Sequence, residues 1–102
     1  MIGALAVPSG AVAGGKLSQA KAKKVTKREA RRTCKGRSPY RCQKKYKAYS
    51  CERQSRKKVD CEGSFHYWVN ARTSGVCTAR IRVVKKGGRT KTRELRSWSC
   101  LN

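Results

Sequence analysis

The stretch Val59 to Val69 alternates between apolar and polar residues over a greater length than any other part of the chain. Its odd positions are apolar or small, and its even positions are polar except for Trp68. Because successive side chains of a strand point to opposite faces, this pattern predicts a strand with one buried face. The chain must therefore contain a sheet, and another element must cover one side of it.

Three other segments have the composition or the alternation of strands, namely Tyr46 to Arg53, Val76 to Val84 and Thr90 to Leu101. The loops between them are short, and short loops join antiparallel neighbours. We therefore expect an α+β fold in which one N-terminal helix is followed by a four-stranded antiparallel meander stapled by disulfides. The helix, or the loop after it, should cover the sheet face that carries Phe65, Tyr67, Ile81 and Val83.

The helix is predicted by the capping-box pattern Thr26-Lys27-Arg28-Glu29, in which Thr26 and Glu29 each bond the other's backbone amide. This pattern places the helix start at Lys27 and its end at Gly36. Residues 14–25 are rich in Ala and Lys and form either a basic linker or an upstream extension of the helix, and residues 26–102 form one small α+β domain. An extended helix would present a loose apolar stripe of Ala22, Val25, Ala30 and Cys34.

Six cysteines in a chain of 102 residues provide the staples that so small a core needs. No Cys-x-x-Cys pair is present and the chain has one His, so the cysteines indicate disulfides rather than a metal site. We therefore expect neither a metal nor a cofactor. Disulfides form in oxidising compartments, which predicts a secreted or extracytoplasmic protein.

Strand register favours one disulfide pairing among the fifteen that six cysteines allow, and the other pairings stay open. A five-residue loop from Gln54 to Lys58 would set Arg53 opposite Val59 and bring Cys51 near Cys61. A bulge at 95–97 would bring Cys77 and Cys100 together. The favoured pairs are then Cys51 with Cys61, Cys77 with Cys100, and Cys34 with Cys42.

Residues 1–13 carry no charge and end in Ala11-Val12-Ala13, a small-x-small pattern of the kind that precedes signal-peptide cleavage. We interpret this segment as a signal-peptide remnant, and the alternative is an unstructured N-terminal tail. It is too short to cross a bilayer, which takes about 20 apolar residues. No transmembrane segment is expected elsewhere.

The chain carries 27 Lys and Arg against five acidic residues, a formal net charge of +22. Between residues 16 and 58, 18 basic residues face two acidic ones, so this segment alone has a charge of +16. Such an excess exceeds what solubility requires and predicts an anionic partner. The expected binding residues are Lys27, Arg28, Arg31, Arg32, Lys35, Arg37, Arg41, Lys44, Lys45, Tyr46 and Lys47.

Three polyanion classes are accessible to an exported protein: anionic cell-wall polymers, acidic lipid headgroups and extracellular nucleic acid. Tyr40, Tyr46 and Tyr49 lie among the basic residues, where aromatic rings can stack on bases or sugars. No small-molecule substrate is expected. The alternative function is a secreted inhibitor or protein-interaction module in which Tyr67, Trp68 and Trp98 are exposed anchors.

A small basic ribonuclease is a second alternative, with Glu62 and His66 as acid and base and Arg80 or Arg82 as the phosphate clamp. Glu62 and His66 are four residues apart on one strand, which separates them by about 13 Å. This distance argues against a catalytic pair, and we expect no enzyme activity. Asp60 and Glu62 are predicted instead to form cross-strand ion pairs with Arg82 and its neighbours.

The segment Cys51 to Cys61 and the later run Cys77-Thr78-Ala79-Arg80-Ile81-Arg82-Val83 resemble small secreted bacterial proteins of no characterised function. Those proteins share a basic N-terminal helix, a hairpin flanked by cysteines and a last strand ending in Cys. The resemblance implies export and a helix-plus-sheet domain. It implies no functional residues.

Overall fold

A computed structural model describes residues 15–37 and 41–101 of the chain. The predicted signal-peptide remnant, residues 1–13, lies outside the described residues. One helix and four strands follow in the order α1 (Gln19–Gly36), β1 (Arg41–Ser55), β2 (Lys58–Trp68), β3 (Ser74–Lys86) and β4 (Arg89–Leu101). Within the described ranges, the helix is not apolar enough to cross a membrane.

The strands form one antiparallel sheet in the order β1-β2-β3-β4, and α1 packs on one face of it, chiefly against β1 and β2. This arrangement confirms the predicted fold class. Phe65, Tyr67, Ile81 and Val83 are all buried in one cluster with the apolar residues of α1. We call the opposite side of the sheet, which carries the even-numbered residues of β2 and β3, the outer face.

The predicted helix start at Lys27 is wrong, because α1 begins eight residues earlier at Gln19. Ser18 caps it, and the Ser18 hydroxyl accepts a hydrogen bond from the amide of Lys21. Thr26 lies inside the helix with its side chain buried against the sheet. Glu29 reaches Arg32 instead of the Thr26 amide.

The alternative prediction, an upstream extension of the helix, is confirmed. Its apolar stripe is also confirmed, and it is buried at Ala22, Val25, Ala30 and Cys34.

The N-terminal end of α1 is tied to the turn between β1 and β2. The Leu17 amide donates to the Arg56 carbonyl, and the Arg53 guanidinium donates to the carbonyls of Leu17, Ser55 and Arg56. These bonds satisfy carbonyls that a tight turn would otherwise leave to water. They also set the direction in which the helix crosses the sheet.

The hairpin turns are tighter than predicted. Gln54 to Lys58 is not a five-residue loop, because β1 continues to Ser55 and β2 begins at Lys58. The turn between β3 and β4 consists of Gly87 and Gly88, whose φ angles of 58° and 82° favour glycine. All four strands also extend beyond their predicted ends at one or both sides, and β1 begins at Arg41 instead of Tyr46.

The favoured disulfide pairing is confirmed for all six cysteines: Cys34–Cys42, Cys51–Cys61 and Cys77–Cys100. Arg53 lies opposite Val59, as expected. Two register shifts, on either side of the Arg80 and Arg96 pair, place Cys100 opposite Cys77. The predicted bulge near residues 95–97 is therefore present as two shifts rather than one.

Strand β1 shifts register against β2 at three points, the last of them between Arg53 and Ser55. Lys44 and Ser50 have left-handed backbone conformations, with φ angles of 63° and 49°, and the pairing with β2 shifts register beside each of them. The irregularity at Lys44 inserts two extra residues opposite His66 and keeps the alternation, so Tyr46 and Ala48 lie opposite Phe65 and Gly63 on the helix side and Lys47 lies on the outer face. The bulge at Ser50 inserts one residue and reverses the alternation.

The helix lies close to the sheet at Gly63. A Cβ atom at this position would lie 3.0 Å from the Thr26 methyl carbon and 3.3 Å from Trp98 Cη2. The Trp98 ring also packs on Phe65, with ring centroids 5.1 Å apart. Glycine is thus required at this point because it lets α1 lie directly on β2 and lets Trp98 reach over from β4.

Replacing Gly63 with Val should lower the free energy of unfolding by about 1–3 kcal/mol, because the new side chain overlaps Thr26 and Trp98. The matched control is Gly36→Ala, where no atom lies within 4 Å of the new Cβ, and its effect should stay within about 0.5 kcal/mol. Urea unfolding of the disulfide-bonded proteins measures both. Equal stability of Gly63→Val and the unsubstituted protein would contradict this packing.

Candidate polyanion-binding cleft

The helix presents basic residues on two of its sides. Lys27, Arg31 and Lys35 are four residues apart in succession and exposed, so they form one row along the side of α1 that faces β1. Arg28 and Arg32 lie on the other side, which faces β4. The direction of α1 across the sheet therefore divides the predicted basic residues into two groups.

Two adjoining hollows lie between the Lys27 row and strand β1. The first is lined by Arg31, Lys35, Lys44 and Tyr46. The second is lined by Lys27, Tyr46, Lys47, Ala48, Tyr49, Ser64, His66 and Val76. Tyr46 lines both, so they form one continuous surface, and we call the two together the basic cleft. Because its residues come from both faces of the sheet, the cleft extends around the exposed edge of β1.

The basic cleft carries positive charge without a neutralising carboxylate. Within residues 15–37 and 41–101, no Asp or Glu lines either hollow. None of the described carboxylates forms an ion pair with Lys27, Arg31, Lys35, Lys44 or Lys47. Like charges held together without partners repel one another, and an anionic ligand relieves that repulsion.

Three of the acidic residues are held on the outer face. Asp60 accepts both hydrogen bonds of a bidentate pair with Arg82, at 2.8 and 3.0 Å. Glu62 pairs with Arg80 at 3.2 Å and with Arg96 at 2.7 Å, and Glu52 pairs with Arg80 at 2.7 Å. The predicted cross-strand pairs of Asp60 and Glu62 are therefore confirmed. We call this group the outer ion-pair network.

The network shifts the pKa of three of its members, Glu62, Arg82 and Arg96, in the direction that holds their charges. Burial alone raises the pKa of Glu62, but hydrogen bonds from Arg96 and Arg80 outweigh it, and the pKa lies below its ordinary value. The hydrogen bond to Asp60 raises the pKa of Arg82, and the hydrogen bond to Glu62 raises that of Arg96. All of these groups stay ionised at neutral pH.

His66 lies in the basic cleft on the same strand face as Glu62. Burial lowers the pKa of His66 most, and the positive charges of Lys45 and Lys47 lower it further. The imidazole is therefore neutral at physiological pH. It can accept a proton when the solution is acidified or when an anion occupies the cleft.

The predicted binding residues do not form one surface. The cleft brings together Lys27, Arg31, Lys35, Lys44, Tyr46 and Lys47. Arg28 and Arg32 lie on the β4 side, where Arg32 pairs with Glu29 at 2.9 Å. Arg37 is half-buried at the C-terminal cap of α1, and Arg41 and Lys45 are exposed at the start of β1. Tyr40 lies outside the described residues.

Besides Ala48 of β1, sequence reasoning missed three contributors to the cleft from the other strands, namely Ser64 and His66 of β2 and Val76 of β3. They are far from the basic segment in sequence and carry no charge at neutral pH. Their alternation with buried neighbours was visible, but the position of β1 beside them depends on the bulges at Lys44 and Ser50. No local sequence signal indicates those bulges.

The predicted set of exposed aromatic anchors is wrong for two of its three members. Tyr67 and Trp98 are buried in the core at 6 % exposure each, because they lie on the helix side of the sheet. Trp68 is 43 % exposed on the outer face. The carboxylate proposed for a ribonuclease, Glu62, is engaged by two arginines and lies four residues along β2 from His66.

No protein-family model matches this chain, and neither a curated protein nor a solved structure is significantly similar to it. The resemblance to small secreted bacterial proteins therefore stays a prediction. The function of the chain must be inferred from its own residues and their geometry.

The outer ion-pair network should make folding stability depend on pH. Because the pKa of Glu62 is lowered by folding, its contribution is present above its ordinary value of 4.5 and is lost as the pH falls through the lower folded value. Glu62→Gln should lose under about 1 kcal/mol at neutral pH, since solvent screens the pairs, and should show a weaker pH dependence.

The matched control is Glu94→Gln, since Glu94 is exposed and forms no ion pair with the other described residues. Chemical unfolding at several pH values between about 6 and 3 measures all three proteins. If the two variants showed the same pH dependence, Glu62 would not be the source of the effect.

Proposed function

We propose that this protein is a secreted, strongly basic, disulfide-stabilised binder of polyanions. The binding is electrostatic and weakly selective, and it occurs at the basic cleft. The ligand is an anionic polymer: a cell-envelope polymer, an acidic lipid surface or a nucleic acid. We propose binding rather than catalysis, because Glu62 is held in ion pairs at a distance from the only histidine of the chain.

The observation that supports this proposal is the separation of charge in the fold. Five basic side chains surround Tyr46 in the cleft, and the described acidic residues that form ion pairs do so elsewhere. A chain whose purpose was solubility alone would gain nothing from holding unpaired cations side by side. Their convergence costs repulsion, which an anionic polymer in the cleft removes.

The basic residues of the cleft differ in how they bind oxyanions. The Arg31 guanidinium can donate two parallel hydrogen bonds to one phosphate or carboxylate group, whereas Lys27, Lys35, Lys44 and Lys47 act as mobile point charges. Such a set recognises charge density more than a fixed arrangement of groups. Weak selectivity among anionic polymers follows from this composition.

Secretion is supported by the disulfides. Every cysteine of the chain is in a disulfide, and bridges of this kind persist in oxidising compartments. The disulfides are therefore compatible with an extracytoplasmic location.

Neutralising three residues of the cleft should weaken binding more than neutralising three elsewhere. For duplex DNA, the logarithm of the affinity falls with the logarithm of salt concentration at a slope near −0.9 per neutralised phosphate. The variant Lys27→Gln, Arg31→Gln, Lys35→Gln should therefore flatten the slope by up to about 0.9 per lost contact. Titration at several salt concentrations between about 50 and 200 mM measures it.

The control variant Lys57→Gln, Lys86→Gln, Arg89→Gln removes the same charge at the hairpin turns, beside the other end of α1. It should change the slope less than the cleft variant does. Equal effects of the two variants would show that binding depends on net charge and not on the cleft. Affinity that ignores salt would contradict the proposal and favour a protein-interaction module that uses Trp68.

Acidification should tighten binding through His66. At about pH 7.5 His66 is neutral in the free protein, so His66→Gln should bind duplex DNA as the unsubstituted protein does. As the pH falls through the lowered pKa of His66, the ring gains one positive charge, and the salt slope should steepen by up to about 0.9. The variant should show no such change, and an identical pH response in both proteins would exclude His66 as its source.

A further inference from the structure

We propose that the outer face of β1 and β2 stacks unpaired nucleobases, so that single-stranded nucleic acid is the polyanion that the protein binds best. The inference rests on the proposed function and names the ligand of the same site. Three side chains with flat aromatic rings would stack on the bases: Tyr49, His66 and Trp68. We call them the aromatic track.

The strand register places the three members of the track on one face. His66 and Trp68 are two residues apart on β2, and the alternation of a strand puts them on the same side. Tyr49 pairs with Glu62, whose side chain joins the outer ion-pair network on that side. The track therefore lies opposite α1, on the face of the sheet that the helix leaves uncovered.

The two outermost rings are open to solvent. Tyr49 is 42 % exposed and Trp68 is 43 % exposed, although large aromatic side chains are usually buried. From Glu62, the partner of Tyr49, to Trp68 is a distance of six residues along β2, or about 20 Å. A track of this length accommodates several consecutive nucleotides of one extended strand.

Basic side chains lie beside the rings along the track. Lys47 lies opposite Ser64, between the levels of Tyr49 and His66, and Arg41 lies opposite Trp68. The charges of Lys45 and Lys47 act directly on His66. A backbone of phosphates that follows the track would thus meet positive charge beside each ring, as in surfaces that hold single strands without reading their sequence.

The track is continuous with the basic cleft, because Lys47, Tyr49 and His66 line the cleft as well. The backbone of one bound strand can therefore follow a continuous basic surface from the track to Lys27 and Arg31. A base-paired duplex hides the faces of its bases, and inorganic polyphosphate has none, so only a single strand can use both the charge and the rings. This difference distinguishes the inference from charge attraction alone.

The test compares an oligothymidylate of about 20 nucleotides with inorganic polyphosphate of similar charge, at one salt concentration and neutral pH. The double variant Tyr49→Leu, Trp68→Leu keeps apolar side chains but removes the rings, and should bind the oligothymidylate at least about tenfold more weakly. Its affinity for polyphosphate should change less than about twofold. The conservative variant Tyr49→Phe, Trp68→Phe keeps the rings and should restore most of the affinity for the oligothymidylate.

Circular dichroism of each variant, with its disulfides intact, verifies that the fold is preserved. Equal loss of affinity for both probes, or no loss for either, would overturn the stacking inference and leave the proposed function standing. Failure of the unsubstituted protein to bind either probe at low salt would overturn the proposed function itself. Failure of the Phe variant to restore binding would assign the loss to something other than stacking.

Discussion

The structure depends on its disulfide bonds, because the chain must hold 27 Lys and Arg residues around a small hydrophobic core. Three disulfides join α1 to β1, β1 to β2 and β3 to β4. Each is worth about 2–4 kcal/mol, a large share of the net stability of a small domain. Charge repulsion acts on the folded chain at every pH below its pI, and the bridges oppose it without using any surface.

Three of the five acidic residues pair with arginines on the outer face, and no Asp or Glu among the described residues lines the basic cleft. Asp60, Glu62 and Glu52 bind Arg80, Arg82 and Arg96 across β1 to β4, so the outer face is pinned by ion pairs at one end. Toward the other end of that face lie the rings of His66 and Trp68, together with Arg41 and Lys47, which form no ion pair with a described carboxylate. On the outer face, the charges of the ion pairs are thus separated from the other positive charges.

Strand order, the covered face and the disulfide pairs were predictable from the sequence, because alternation and cysteine spacing report on register directly. The helix start was not, since Thr26 to Glu29 matches a capping box in sequence, whereas the burial of Thr26 inside the helix depends on Gly63, a residue of another element. The basic residues were identified, but their division between two sides of α1 depends on which strands the helix crosses. No local sequence pattern indicates the bulges at Lys44 and Ser50. The sequence therefore could not predict that residues of β1 line one cleft together with Ser64 and His66.

Both edges of the sheet are interrupted, β1 by left-handed residues and β4 by two register shifts. Straight edge strands pair readily with those of neighbouring molecules, and bulges and edge lysines prevent it. An anionic polymer of the proposed kind would gather many copies of this basic protein and screen the repulsion between them. The irregular edges would then be the remaining barrier to edge-to-edge pairing and fibre growth.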